Sequence, residues 1–92
     1  MAAEFHITSL VVHSTPRRLQ QVAARIAAMP GAQVHATAPS GKLVVTLDAD
    51  SSDEMLARVN GIQRLDGVLS AALVYQHAEA LETTHAEAAN VA

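Results

Sequence analysis

The clearest pattern along the chain is a set of three β-prone runs that are apolar at odd and even positions alike. They cover residues 7–12, 43–47 and 69–75. Because the side chains of a strand alternate between its two faces, each run presents apolar atoms to both sides of its sheet. A chain of 92 residues has room for helices over one side only. The pattern therefore predicts a sheet whose second face is left for a partner.

Two segments between these runs have apolar residues at helical spacing. The first is predicted to start with Thr15 as N-cap and to stop at Pro30-Gly31. The second follows Ser51 or Ser52 and ends at the turn 65–67. The two apolar stripes are Leu19, Val22, Ala23, Ile26 and Ala27, then Met55, Leu56, Val59 and Ile62. Each stripe predicts an amphipathic helix that covers one face of the sheet.

The order of these elements predicts the fold class. Strands are expected at about residues 6–13, 33–38, 43–48 and 68–77, and a four-residue turn at 39–42 joins the middle two as a hairpin. The succession βαββαβ is typical of the ferredoxin-like α+β fold, with sheet order 4-1-3-2 and both helices on one face. We expect one domain over residues 1–78 and a flexible C-terminal tail over residues 79–92.

Side-chain size assigns the two faces of the predicted sheet, because larger apolar side chains gain more from burial. The helix-facing set is Leu10, Val12, Val34, Ala36, Leu43, Val45, Leu47, Leu69, Leu73 and Tyr75. The opposite, open face then carries Ile7, Ser9, Val11, His35, Thr37, Val44, Thr46, Ser70, Ala72, Val74 and Gln76. Its side chains are small or β-branched, so a partner helix could approach closely. Alternatively, these residues are simply β-formers on a tolerated exposed face.

Charge placement adds a second feature. In the predicted topology one edge of the sheet gathers acidic residues and the opposite edge gathers basic ones. The acidic edge holds Glu4, Asp48, Asp50 and Glu79, with Asp53 and Glu54 close by, and the basic edge holds Arg17, Arg18, Lys42 and Arg64. A basic segment of a partner would be drawn to the acidic edge, although ordinary solvation explains exposed charges equally well.

Composition excludes several function classes. The net charge is −3 with six Lys and Arg, which argues against nucleic-acid binding, and the absence of cysteine removes disulfides and thiolate metal sites. No glycine-rich phosphate loop, paired helical histidines or nucleophile relay occurs, so we expect no metal, no cofactor and no enzyme activity. No run reaches membrane-spanning length, and the N-terminus lacks a basic leader region, which predicts a cytoplasmic protein. A binding module remains.

The sequence also resembles a known family. Four short motifs carry the resemblance: Ser9-Leu10-Val11-Val12, Pro30-Gly31, Pro39-Ser40-Gly41-Lys42-Leu43-Val44-Val45, and Asp66-Gly67-Val68-Leu69-Ser70-Ala71-Ala72-Leu73-Val74-Tyr75-Gln76. In this order and spacing they resemble NapD, the cytoplasmic chaperones of the periplasmic nitrate reductase. The resemblance runs from about Ile7 to His77.

This resemblance implies a function and a partner. NapD-like proteins bind the twin-arginine signal peptide of the nitrate reductase catalytic subunit, as a helix on the open sheet face. They delay its export by the twin-arginine translocase until the cofactors are in place. Combined with the predicted faces, it makes Ile7, Ser9, Val11, Val44, Thr46, Asp48, Ser70, Ala72 and Val74 the candidate signal-peptide-binding residues. Asp48, and second to it Asp50, would meet the basic region of the peptide.

Two other interpretations of the residues stay open. One is a regulatory domain of the ACT kind, which would bind a small ligand near Ser14 or Gly31. The other is a structural homodimer that uses the open face on itself. The sequence does not decide the oligomeric state.

Overall fold

The computed structural model describes residues 4–80 of the chain, and the side chains of residues 5–77. The elements are β1 (Glu4–Ser14), a 3-10 turn (Pro16–Arg18), α1 (Leu19–Ala27), β2 (Ala32–Ala38), β3 (Lys42–Ala49), α2 (Ser52–Gln63) and β4 (Val68–Ala80). The strands form one antiparallel sheet in the order β2-β3-β1-β4, which is the predicted order counted from the other edge. The predicted ferredoxin-like βαββαβ fold is confirmed.

The last strand is longer than the sequence indicates. β4 continues to Ala80, two residues into the segment predicted as a tail. Residues 81–92, the rest of that predicted tail, lie outside the described part of the chain.

The hydrophobic core lies between the two helices and one face of the sheet. It is built from alternate residues of the two central strands and from the apolar stripes of α1 and α2. Its members are Leu10, Val12, Leu19, Val22, Ile26, Leu43, Val45, Leu47, Ala49, Met55, Val59 and Ile62. Leu10 and Val12 are fully buried, so the predicted parity of the first strand is confirmed and its odd-numbered residues face away from the helices.

The two helices begin differently. Ser51 caps α2, because its hydroxyl accepts a hydrogen bond from the Glu54 amide at 3.1 Å. Thr15 was predicted to cap the first helix, but its hydroxyl makes no capping hydrogen bond. Pro16 instead opens a 3-10 turn, and α1 proper starts only at Leu19. α1 therefore covers the same residues as the apolar stripe, 19–27, but is shorter than the predicted cap at Thr15 and stop at Pro30 indicate.

A β-bulge in β4 changes the faces of its second half. Ser9 pairs with Tyr75, whereas the next residue, Leu10, pairs with Leu73, so Val74 is an extra residue without a partner on β1. An extra residue shifts the alternation of a strand by one position. The residues of β4 after Val74 therefore exchange sides relative to a regular strand.

Two predictions fail for this reason. Tyr75 pairs with the outward-facing Ser9 and lies on the open face, not among the helix-facing residues where its size placed it. Gln76 pairs with the buried Thr8 and faces α2, not the open side.

A second bulge occurs in β2. Val34 pairs with the buried Val45, as predicted, but Ala36 pairs with Val44, so His35 is the extra residue. Two positions are thereby exchanged relative to the prediction: Ala36, which lies on the open face, and Thr37, which faces the helix side.

The turn of the hairpin between β2 and β3 is one residue shorter than predicted. Ala38 pairs with Lys42 rather than with Leu43, and the Gly41 amide donates to the Ala38 carbonyl at 2.9 Å. Residues 39–41 therefore form the connection, with Gly41 at a φ of 106° that favours glycine.

Candidate functional site: the open face of the sheet

The open face consists of residues that the strand register aligns in rows across the sheet. Residues opposite each other on neighbouring strands point to the same side, so the register gives the neighbours directly. From one end to the other, the rows are His77-Ile7-Asp48, Tyr75-Ser9-Thr46-Gln33, Ala72-Val11-Val44-Ala36 and Ser70-His13-Lys42-Ala38. The face thus changes from an acidic end, through an apolar centre, to a basic end.

The register brings together nearly all of the residues predicted to bind the signal peptide. The set on the open face is Ile7, Ser9, Val11, Val44, Thr46, Asp48, Ser70 and Ala72. Val74 is the exception, because it is the extra residue of the bulge and has no partner on β1. It is 61% exposed at the outer edge of the sheet.

The centre of the face is a smooth apolar floor. Val11 lies between Val44 and Ala72 on the neighbouring strands, and Ala36 continues the row on the edge strand β2. Their short side chains stand only slightly above the backbone, and Val44 remains 36% exposed. A contiguous apolar surface of this kind suits the apolar side of a helix.

Tyr75 adds an aromatic feature that sequence reasoning missed. It is 57% exposed, and its ring stacks on the His77 ring with centroids 6.3 Å apart and planes 9° from parallel. The β-bulge puts this ring on the open face, and no glycine or proline in the run 68–76 marks the bulge. The sequence thus held no signal that could have placed Tyr75 here.

His35 occupies the opposite flank of the face. Its Nε2 lies 2.7 Å from the Thr46 hydroxyl oxygen, a hydrogen bond that ties the bulged part of β2 to the central strand β3. This bond fixes the His35 ring beside the second row of the face. His35 was predicted on the open side, and the structure places it there.

Asp48 is the acidic group of the open face. It is exposed at the end of β3, and within residues 4–80 no cation lies in ion-pair range of its carboxylate. Arg58 of α2 donates a hydrogen bond to the main-chain carbonyl oxygen of Asp48, at 3.0 Å, and its guanidinium lies 3.5 Å from the Glu54 carboxylate.

Asp50 is also exposed, and its amide donates to the Glu54 carboxylate at 3.1 Å. The side chains of the other predicted acidic residues, Glu4 and Glu79, lie outside the described set.

The basic end is only partly available to a partner. Arg18 pairs with Asp66, so its charge is already matched within the protein. Lys42 is exposed and pairs with His13 across the open face. Lys42 is therefore the cation that the sheet itself presents to the open side.

Other kinds of site are less well supported in the described part of the chain. No group of three or more metal-ligating side chains occurs within it. None of its helices combines the length and the apolar character that crossing a membrane requires. Of the two positions near which an ACT-like domain would bind its ligand, Ser14 is 2% exposed with its hydroxyl 3.2 Å from the Gly41 carbonyl oxygen, and Gly31 lies against Asp48.

Comparison with known proteins identifies relatives along almost the whole described chain. The model of the NapD protein family matches residues 5–80. Chaperone NapD of Escherichia coli (strain K12) is 31% identical over 80 residues, which cover 86% of this chain and 92% of that protein. Chaperone NapD of Paracoccus pantotrophus is 35% identical over 71 residues, which cover 77% of this chain and 62% of that protein.

A solved structure has the same fold. The solution structure of the E. coli Tat proofreading chaperone protein NapD superimposes with a TM-score of 0.74 and 30% sequence identity, covering 77% of this chain and 76% of that one. Sequence and fold agree, and the chain belongs to the NapD family of chaperones.

Proposed function

We propose that this protein is a cytoplasmic chaperone that binds the twin-arginine signal peptide of the periplasmic nitrate reductase catalytic subunit and delays its export until cofactors are loaded. One observation carries the proposal: a sheet face with an apolar centre and an acidic end, which neither helix of residues 4–80 covers. It occurs in a family whose E. coli member is described as a Tat proofreading chaperone. A twin-arginine peptide has the complementary character, basic at its start and apolar after it.

The apolar floor supplies the affinity in this proposal. The peptide forms an amphipathic helix whose apolar side covers Val11, Val44 and Ala72. Burying apolar surface contributes roughly 25 cal/mol per Å² before the cost of ordering the peptide is subtracted. The small side chains of the floor let the helix backbone come close, which increases the area that each turn buries.

The acidic end supplies orientation. Asp48, with Asp50 near it, attracts the arginines of the peptide, and no cation of residues 4–80 neutralises the Asp48 carboxylate first. A charge pair at this exposed position is worth about 0.5–1 kcal/mol and weakens as salt rises. Hence the Asp48 contact favours peptides with a basic segment, while most of the binding free energy comes from burial of apolar surface.

The chaperone acts by occupancy and not by chemistry. The relatives are named as chaperones, and the proposal assigns no catalytic residue and no cofactor to this chain. A signal peptide whose helix is covered by the sheet cannot engage the translocase at the same time. Export then waits for dissociation, and the fraction held back depends on the chaperone concentration relative to the dissociation constant.

The test is calorimetric titration of the protein with the synthetic signal peptide of its own nitrate reductase precursor. Val11→Glu and Ala72→Arg put a charge in the middle of the floor and are expected to abolish binding. Gln20→Glu, on the exposed side of α1, is the matched control and should bind normally. Circular dichroism and thermal melting must show that all variants are folded. Unchanged affinity in both floor variants would refute the assignment of the peptide to this face.

Light scattering of the same samples, with and without peptide, tests whether the face is used for self-association instead. A chaperone of the proposed kind binds one peptide per protomer. A dimer that persists when the peptide is added, and that dissociates to monomers in the Val11→Glu variant, would favour the structural homodimer.

A further inference from the structure

We propose that the open face fixes the direction of the bound helix, with the peptide N-terminus over Asp48 and its C-terminal end over Lys42. This inference rests on the proposed function and adds to it a polarity and a second recognition residue, Lys42. It follows from the order of charges along one central strand and from the dimensions of the face.

The outward positions of β3 form a graded column. Its buried residues alternate with exposed or half-buried ones, and the outward set reads Lys42, Val44, Thr46, Asp48. The strand thus begins with a cation, continues with apolar and hydroxyl side chains, and ends with an anion. Since β3 is central, the column runs along the middle of the face, where a docked helix would lie.

The backbone of an α-helix carries partial charges at its two ends that are complementary to the charges at the two ends of this column. Its N-terminus carries a partial positive charge from unpaired amide groups, and its C-terminus a partial negative charge from unpaired carbonyls. With its N-terminus at Asp48 and its C-terminus at Lys42, both ends meet a complementary charge. The reversed helix would place like charges together at both ends. In a twin-arginine peptide the basic residues lie at the start, so their charges favour the same direction as the dipole.

The distance between the two charges suits one helical segment. Lys42 and Asp48 are six residues apart on a strand, which is about 20 Å at roughly 3.3 Å per residue. A helix of about 13 residues has this length at 1.5 Å per residue. A peptide helix of this size can therefore contact both charges and cover the apolar row between them.

The width of the face agrees with one helix as well. Tyr75 on β4 and His35 on β2 flank the second row, on the two outer strands of the sheet. Three strand spacings separate β4 from β2, about 14 Å in all, whereas a helix with its side chains is about 10–12 Å across. The Thr46 hydrogen bond holds His35, and the bulge holds Tyr75 outward, so both flanks are defined before the peptide arrives.

Paramagnetic relaxation is the direct test. The chain has no cysteine, so a nitroxide can be placed on a single cysteine at either end of the signal peptide alone. The N-terminal label is expected to broaden the amide signals of Ile7 and Asp48, and the C-terminal label those of Lys42 and Ser70. The reverse pattern, or equal broadening at both ends by both labels, overturns the proposed direction. Absence of any binding in calorimetry would instead overturn the proposed function, and this inference with it.

A charge variant tests the role of Lys42 separately. Lys42→Glu is expected to weaken peptide binding about three- to tenfold, because it puts a negative charge under the C-terminal carbonyls. Arg64→Glu makes the same charge change at the C-cap of α2, away from the open face, and should leave the affinity within twofold. A peptide with lysines in its last turn should regain affinity for Lys42→Glu only. Equal losses of peptide affinity in Lys42→Glu and Arg64→Glu would show that only the net charge of the protein matters, and would refute a specific contact of Lys42 with the peptide.

Discussion

Gly31 and Asp48 are in direct backbone contact: the Asp48 amide donates a hydrogen bond to the Gly31 carbonyl at 2.8 Å. Gly31 has a φ of 73°, and a Cβ at this position would lie 2.4 Å from the Asp48 carbonyl oxygen. The chain leaving α1 can approach the end of β3 only because this residue has no side chain. The contact fixes where the acidic end of the open face is.

Gly31→Ala is therefore expected to destabilise the protein by at least about 2 kcal/mol, from the left-handed backbone and the collision with Asp48. Urea unfolding measures the loss. Gly61→Ala is the matched control, because this glycine lies inside α2 and its Cβ would meet only Met29 Cε, at 3.4 Å. It should be neutral or stabilising by up to about 1 kcal/mol. Similar losses for both variants would show that Gly31 has no special constraint.

Thr8 offers a stabilising substitution. It is fully buried between the sheet and the helices, and its hydroxyl has no hydrogen-bond partner among the described residues. Thr8→Val keeps the shape and removes the unpaired hydroxyl, so we expect a gain of about 1 kcal/mol in the free energy of unfolding. Thr46→Val, where the hydroxyl bonds to His35, should bring no such gain. A loss of stability in Thr8→Val would show that this hydroxyl is satisfied in solution.

Tyr75 and Gln76 are neighbours in the chain on opposite faces of the sheet. Tyr75→Ala removes an aromatic side chain from the open face and is expected to weaken signal-peptide binding about five- to twentyfold, given the roughly 1–2 kcal/mol that interface aromatics contribute. Gln76→Ala, on the helix side, should bind as well as the natural protein. Calorimetry on the pair tests the β-bulge assignment: the opposite result would mean that β4 is regular in solution.

Asp48→Asn separates the electrostatic part of the affinity from the apolar part. Removing one exposed charge should weaken peptide binding two- to fivefold at low salt, about 0.5–1 kcal/mol. The difference from the natural protein should shrink as ionic strength rises, because salt screens exposed charges. Asp53→Asn makes the same change in the first turn of α2, off the open face, and should alter affinity little. A salt-independent loss in Asp48→Asn would indicate a structural effect instead.

Much of the site was predictable because β1 is regular. Its odd-numbered residues were assigned to the open face from side-chain size alone, and the structure places Ile7, Ser9 and Val11 there. The outer strands were less predictable. β4 contains two extra residues, Leu69 and Val74, and β2 contains one, His35, and none of the three is a glycine or proline. The misplaced positions follow these bulges.

Hydrophobic periodicity, together with the turn and cap residues and the general rules of strand connection, determined the order of strands and helices, the antiparallel sheet and the existence of a face that the helices do not cover. Those features depend on which residues avoid water, and the sequence records that property directly. Only the tertiary structure decided that Tyr75 joins the open face, and that Gly31 sets the position of Asp48. Strand register and close backbone approach depend on partners far along the chain, so no local pattern of residues encodes them.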